Sequence, residues 1–183
     1  MKIDRDRLVE TATRLVNVPS FTGDEEPAAR LMAELYESLG LQLQWQQVEE
    51  GRANALGTWP GAGGGKSLMF NGHLDTSYSG REPWLRSVPG FQPQAFERDG
   101  RLYGLGISNM QGAVACYVEA VRALQDAGRR LRGDVLIAAV CGEIEKTQQG
   151  EEQGAQYRGY AAASRYLVSH GGVAFLFLVA ETT

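Results

Sequence analysis

Cysteine and histidine are scarce: the 183 residues contain two of each, Cys116 and Cys141, His73 and His170. Two cysteines in apolar segments exclude a disulfide-stapled scaffold and a cysteine-rich zinc module. They predict buried free thiols in a reducing compartment. Positive charge is not in excess either. Lys and Arg number 18 against 22 Asp and Glu, for a net charge of −4, which argues against a nucleic-acid surface and a polybasic membrane patch. No apolar run approaches the ~20 residues that span a bilayer. The opening MKIDRDRLVE is charged throughout and lacks the apolar core of a secretory signal. A cytoplasmic location is expected, with neither nucleic acid nor membrane as partner. Two catalytic signatures are missing as well. There is no G-x-S-x-G elbow to present a serine nucleophile and no G-x-x-x-x-G-K-[ST] phosphate loop. Gly104-Leu105-Gly106 fails to complete G-x-G-x-x-G, because position 109 is Asn.

What is present reads as an α/β chain. Leu8, Val9, Ala12, Leu15 and Val16 recur at helical spacing after Asp4, and Pro19 ends that run. Gly23-Asp24-Glu25-Glu26-Pro27 is a helix start with acids in the first turn, followed by the stripe Ala28, Leu31, Met32, Leu35, Leu39 and a capping Gly40. Leu41, Leu43 and Trp45 alternate with glutamines as a half-buried strand. A Gly-rich loop over 60–65 precedes a short buried strand, Ser67 to Asn71. Asp99-Gly100 marks a hairpin between Ala95–Arg98 and Arg101–Tyr103. A helix is expected from Met110 to Ala127, and Asp134 to Cys141 is a continuous apolar run of the kind that forms a central strand covered on both faces. The polar stretch Lys146 to Gly159 reads as a surface loop, Tyr160 to Val168 as a helix, and Val173 to Val179 as another buried strand. The order predicts a mixed, mostly parallel sheet sandwiched by helices.

Ligands in open α/β sheets collect beyond the carboxyl ends of strands. Four places here are such exits: His73-Leu74-Asp75, the segment Gly104 to Gly112, Glu143-Ile144-Glu145, and Glu181. A histidine and several carboxylates at one sheet edge have the composition of a metal hydrolase site, since zinc takes imidazole nitrogen and carboxylate oxygen.

The blocks Phe70-Asn71-Gly72-His73-Leu74-Asp75-Thr76, Tyr103-Gly104-Leu105-Gly106-Ile107-Ser108-Asn109-Met110-Gln111-Gly112, Gly142-Glu143-Ile144-Glu145 and Ala180-Glu181-Thr182 resemble the co-catalytic zinc peptidases and deacylases. That family includes acetylornithine deacetylase, succinyl-diaminopimelate desuccinylase, aminoacylase and carboxypeptidase G. The resemblance implies a zinc-exopeptidase-like fold and hydrolysis of an amide in a small N-acyl amino acid or peptide. It implies that His73 and Glu181 are metal ligands, that Asp75 orients the site, and that Glu143 is the general base for a metal-activated water. The metal would be Zn2+, or another divalent ion such as Co2+ or Mn2+.

Three departures limit what the resemblance delivers. The family's metal-bridging aspartate is Asn109 here, which offers one neutral oxygen. Its paired glutamates, base then ligand, become Glu143 and Ile144. Taking Glu145 as the ligand leaves Ile144 as an impossible base, and taking Glu143 as the ligand leaves Gly142 in the base position. Family members are also longer. They add a lid or dimerisation domain and a later catalytic segment with a distal histidine, so residues 1–183 are expected to be the N-terminal portion of such a catalytic domain. His170, in Ser169-His170-Gly171-Gly172, reads as a helix cap. The expectation is therefore at most one metal per chain, with activity impaired or absent in this chain alone. A homodimer or a complementary chain would supply what is missing. The alternative is a non-catalytic segment of the family fold kept for binding or assembly.

Overall fold

The computed structural model describes residues 1–144 and 159–180. Asp4 caps α1 (Arg5–Val16) by accepting hydrogen bonds from the N–H groups of Asp6 and Arg7. The second helix, α2 (Glu26–Ser38), carries Pro27 in its first turn, and Gly40 turns the chain out of it with φ 66°. Two strands follow, β1 (Gln42–Glu49) and β2 (Arg52–Trp59), then β3 (Leu68–His73). The Asp99-Gly100 hairpin forms as expected between β4 (Phe96–Arg98) and β5 (Arg101–Tyr103), with φ 51° and 72° at its two tip residues. A single wide turn over Ile107–Gln111 leads into α3 (Gly112–Asp126), and the chain continues through β6 (Val135–Val140), α4 (Ala162–Ser169) and β7 (Leu176–Val179).

The main sheet has the order β1-β2-β6-β3-β7. The pairs β6-β3 and β3-β7 are parallel, and β1-β2 and β2-β6 are antiparallel, so β2 alone runs against the other four strands. This is the mixed sheet that the sequence predicts. The apolar run of β6 is buried at all six positions and serves two cores. Val135, Ile137 and Ala139 pack with α1, α2 and α3, while Leu136, Ala138 and Val140 pack with Met69, Ala163 and Leu167 on the other side.

Strand β2 has no counterpart in the sequence reading. Arg52, Asn54 and Gly57 break its apolar alternation, yet all six residues from Arg52 to Gly57 are buried. Each interruption has a long-range reason. Arg52 meets Glu25. Asn54 donates to the carbonyl of Ala163 and to Gln46, and accepts from the N–H of Cys141. Gly57 lies under Tyr36, where a Cβ would come within 2.6 Å of the ring.

Two expectations are corrected. Val173 to Val179 form no buried strand among the described residues: β7 sits at the sheet edge, and Phe175 to Val179 are 43–61% exposed. Composition marks that strand as apolar but cannot show what lies beside it. Cys116 is not buried; it occupies the outer face of α3, whereas Cys141 is fully enclosed at the end of β6. Burial also pushes the Cys141 thiol far above its ordinary range. A thiol-specific reagent should therefore modify Cys116 in the folded protein and Cys141 only after unfolding. Two rapidly reacting thiols would contradict this arrangement. Most of the polar stretch Lys146 to Gly159 lies outside the described residues, as do Glu145 and Glu181. None of the described helices is long and apolar enough to cross a membrane.

Candidate metal centre

Parallel strands β3 and β6 end side by side, with His73 registered opposite Val140. Their exits therefore share one edge of the sheet, and the segments that follow face each other. Leu74 continues the pairing by donating its N–H to the Val140 carbonyl at 2.8 Å. Gly72 admits α3 against the strand: a Cβ there would fall 2.7 Å from Val114.

His73 is buried, and its two ring nitrogens have different neighbours. Nε2 lies 2.8 Å from Asn109 Oδ1 and 4.0 Å from a Glu143 carboxylate oxygen. Nδ1 lies 3.1 Å from the Asp75 carbonyl and 3.4 Å from Asp75 Oδ1. Burial lowers the ring's pKa, but the hydrogen bond and charge of Asp75, aided by Asn109 and Glu143, outweigh it and raise the value to about 9. The Asn109-Met110 peptide is cis, and Asn109 is extended at φ −137° and ψ 97°.

Asp75 is the hub of the site. Its Oδ1 accepts the Glu143 N–H at 3.0 Å, and its Oδ2 accepts the Ile144 N–H at 3.0 Å and the Thr22 hydroxyl at 2.8 Å. Burial would raise its pKa, yet His73 and these two N–H groups hold the carboxyl below its ordinary range. One side chain thus fixes both the imidazole and the backbone that carries Glu143.

Behind it lies an ion pair that the sequence reading missed. Glu25, expected as a first-turn acid, is 0% exposed, and Arg52 is 1% exposed. Arg52 Nε and Nη2 donate to the two Glu25 oxygens at 2.7 and 2.8 Å, a bidentate pair, and Nη1 reaches Glu49 at 2.5 Å. The Gly142 N–H donates to Glu25 Oε1 at 2.9 Å. Burial lifts the Glu25 pKa despite the guanidinium; Arg52 is also buried, but Glu25 keeps it charged. Nothing in the local spacing distinguishes Glu25 from an ordinary helix-start acid, and its partner is 27 residues away.

Of the residues expected at the metal, the structure brings together His73, Asn109, Asp75 and Glu143. Ile144 follows them as an apolar neighbour in the position where the resemblance implies a ligand. Ala180, the last residue described before Glu181, donates its N–H to the Tyr117 hydroxyl at 2.7 Å. Among the described residues no group of three or more His, Cys, Asp and Glu is arranged to hold a metal ion. His170 has a structural role: it ends α4, stacks on Tyr166 at 3.7 Å, and accepts hydrogen bonds from Gln44 and Gln46 at its carbonyl.

The mixed sheet thus carries an acid-held histidine and a glutamate together at its carboxyl edge. Residues 69–181 match the model of peptidase family M20/M25/M40, and the chain belongs to that family. It is 31% identical over 173 residues to a succinyl-diaminopimelate desuccinylase of Gluconacetobacter diazotrophicus, covering 94% of this chain and 42% of that protein. It is 33% identical over 107 residues to the N-formyl-4-amino-5-aminomethyl-2-methylpyrimidine deformylase of Bacillus subtilis, covering 57% of this chain and 24% of that one. Among solved structures, a Staphylococcus aureus tripeptidase superposes with a TM-score of 0.71 at 19% identity, covering 99% of this chain and 44% of that chain. Human carnosine dipeptidase 1 gives 0.69 at 18% identity, over 97% of this chain and 38% of that chain. The chain therefore spans less than half the length of these relatives. Membership in a metallopeptidase family implies a divalent metal.

Proposed function

We propose that residues 1–183 form a portion of the catalytic domain of a metal-dependent amide hydrolase, of peptidase or N-acyl amino acid deacylase type. The observation that carries this reading is the convergence of His73 Nε2, Asn109 Oδ1 and the Glu143 carboxylate, with Asp75 braced behind the ring. One imidazole nitrogen, one amide oxygen and a nearby carboxylate fit a single divalent ion, held more weakly than by an all-anionic set. His73 and Asn109 would hold the ion, together with Glu181, and with Glu145 as the further acid within reach in sequence. Zn2+, Co2+ or Mn2+ would supply Lewis acidity for polarising water and an amide carbonyl. Glu143 is the general base, taking a proton from the attacking water and returning it to the leaving amine. Asp75 favours the His73 tautomer with its proton on Nδ1, which would direct the Nε2 lone pair towards the ion.

At most one metal per chain follows from two substitutions. Asn109 lacks the charge to bridge two dications, and Ile144 lacks any donor. The substrate would be a small N-acyl amino acid or peptide, and the rest of the centre would come from a homodimer mate, a complementary chain or further residues of a longer protein. Zinc titration and hydrolysis of N-acyl amino acids test this together. The double variant Asn109→Asp with Ile144→Glu should bind zinc at least about tenfold tighter than the unaltered chain. Unchanged affinity would count against the placement, and two tightly held zinc ions in the unaltered chain would overturn the single-metal reading. A second reading, a non-catalytic binding or assembly segment, is favoured by Asn109, Ile144 and the open edge of β7. Absence of both zinc uptake and hydrolysis, unrestored by the double variant, would support it.

A further inference from the structure

Strands β3 and β7 run parallel and in register, from Leu68 with Leu176 to Asn71 with Val179. Leu176 opens this ladder by donating its N–H to the Ser67 carbonyl at 3.0 Å. Parallel strands repeat such bonds at even spacing, on alternate residues. By that repeat the Ala180 N–H is due at the Asn71 carbonyl. It goes instead to the Tyr117 hydroxyl at 2.7 Å, and that hydroxyl donates in turn towards the Asn71 carbonyl at 3.5 Å. One phenolic oxygen stands where a direct ladder bond belongs. Strand β7 ends at Val179, the residue before.

Tyr117 reaches this rung from α3 and is held there by packing. It is 4% exposed, and its ring stacks on Phe70 with centroids 4.8 Å apart. Gly72 lets the ring lie across β3, since a Cβ there would already stand 3.4 Å from Tyr117 Cε2. Phenylalanine would pack equally well, so the hydroxyl needs a reason of its own.

We propose that Tyr117 is a positioning residue for the metal centre: its hydroxyl sets where the chain leaves β3 and so delivers Glu181 to the ion at His73. This rests on the hydrolase reading above, in which Glu181 is a ligand. His73 lies two residues beyond Asn71, and Glu181 lies two residues beyond Val179, the partner of Asn71. Both ligands thus follow one rung of the sheet, and the Tyr117 hydroxyl bridges the next step of it. Without that oxygen the Ala180 N–H must close onto Asn71 or turn to water. Either shift moves the backbone that carries the next residue.

Tyr117→Phe tests this, because it keeps the ring stack and removes only the oxygen. Zinc titrated into the full chain should bind about 10–100-fold more weakly, the range for losing a group that orients a ligand. The urea midpoint should stay nearly unchanged. The visible absorption of the Co2+ form should change as well, a signature that a purely packing role would not move. Glu181→Gln completes a double-mutant cycle. In that background Tyr117→Phe should weaken zinc by less than about twofold, since its effect passes through Glu181. Additive losses would overturn the proposal and leave the hydrolase reading standing. So would an affinity that falls in Glu181→Gln but not in Tyr117→Phe. Zinc affinity indifferent to Glu181→Gln would instead remove Glu181 from the ligand set. No zinc uptake by the unaltered chain would remove the metal reading, and the proposal falls with either.

Discussion

Arg52→Ala should destabilise the folded chain by about 3–5 kcal/mol, the cost of leaving a buried charge without its partner. Glu25, 0% exposed in the folded chain, would keep backbone donors such as the Gly142 N–H but no cation within its ion pair. Burial already raises the Glu25 pKa with Arg52 in place, so removal of the guanidinium drives the carboxyl towards its neutral form. The loss should appear as a lower urea midpoint with an unchanged slope. Removing both charges in an isosteric pair, Glu25→Gln with Arg52→Met, should recover most of that loss, because the desolvation of two ions is removed together. A single-variant effect below about 1 kcal/mol would place Arg52 among ordinary surface-type pairs and contradict its burial. The consequence reaches the centre through Gly142. That residue adopts φ 60° directly before Glu143, and its N–H is held by the same carboxylate that Arg52 neutralises.

This pair also shows where sequence legibility ends. The apolar run of β6, the periodicity of α1 and α2 and the Asp99-Gly100 hairpin are local signals, and each forms as read. The strand exits at His73 and Glu143 are legible too, because a polar residue directly after a buried run is visible in one line of sequence. Strand β2 is not, since Arg52, Asn54 and Gly57 are acceptable in a core only through Glu25, Ala163 and Tyr36, which are distant in the chain. Glu25 itself looks like a helix-start acid until the fold delivers Arg52 to it. Thr22 gives no warning of its hydrogen bond to Asp75, 53 residues later. The roles of Asn109 and Ile144 come from resemblance rather than composition; what the fold adds is that Asn109 does face His73. In β7 the error runs the other way. Its apolar composition predicts burial, but burial depends on neighbours, and at the sheet edge Phe175 to Val179 remain exposed.

Asp75→Asn should weaken zinc binding by about 10–100-fold, the range for losing the group that orients a histidine ligand. The substitution preserves shape, so its effect isolates hydrogen-bond polarity. In the carboxylate, Oδ1 accepts the Glu143 N–H and Oδ2 accepts the Ile144 N–H and the Thr22 hydroxyl. An asparagine must replace one of these oxygens by an NH2 group. Whichever oxygen is lost, a donor then faces a backbone donor, so flipping the amide brings no relief. One buried N–H left without an acceptor costs about 1–3 kcal/mol, and the 143–144 backbone should shift to escape it. His73 loses its charged neighbour in the same step, and with it the preference for holding the proton on Nδ1. Two readouts separate these effects: the urea midpoint reports the hydrogen bonds, and zinc titration reports the ligand. Thr22→Val is the control, because it deletes one donor to Asp75 without touching His73 or Glu143. It should cost about 1 kcal/mol of stability and leave zinc affinity nearly unchanged. If Asp75→Asn lowers the midpoint but not the zinc affinity, Asp75 is a scaffold residue for the 142–144 turn and its orienting role falls.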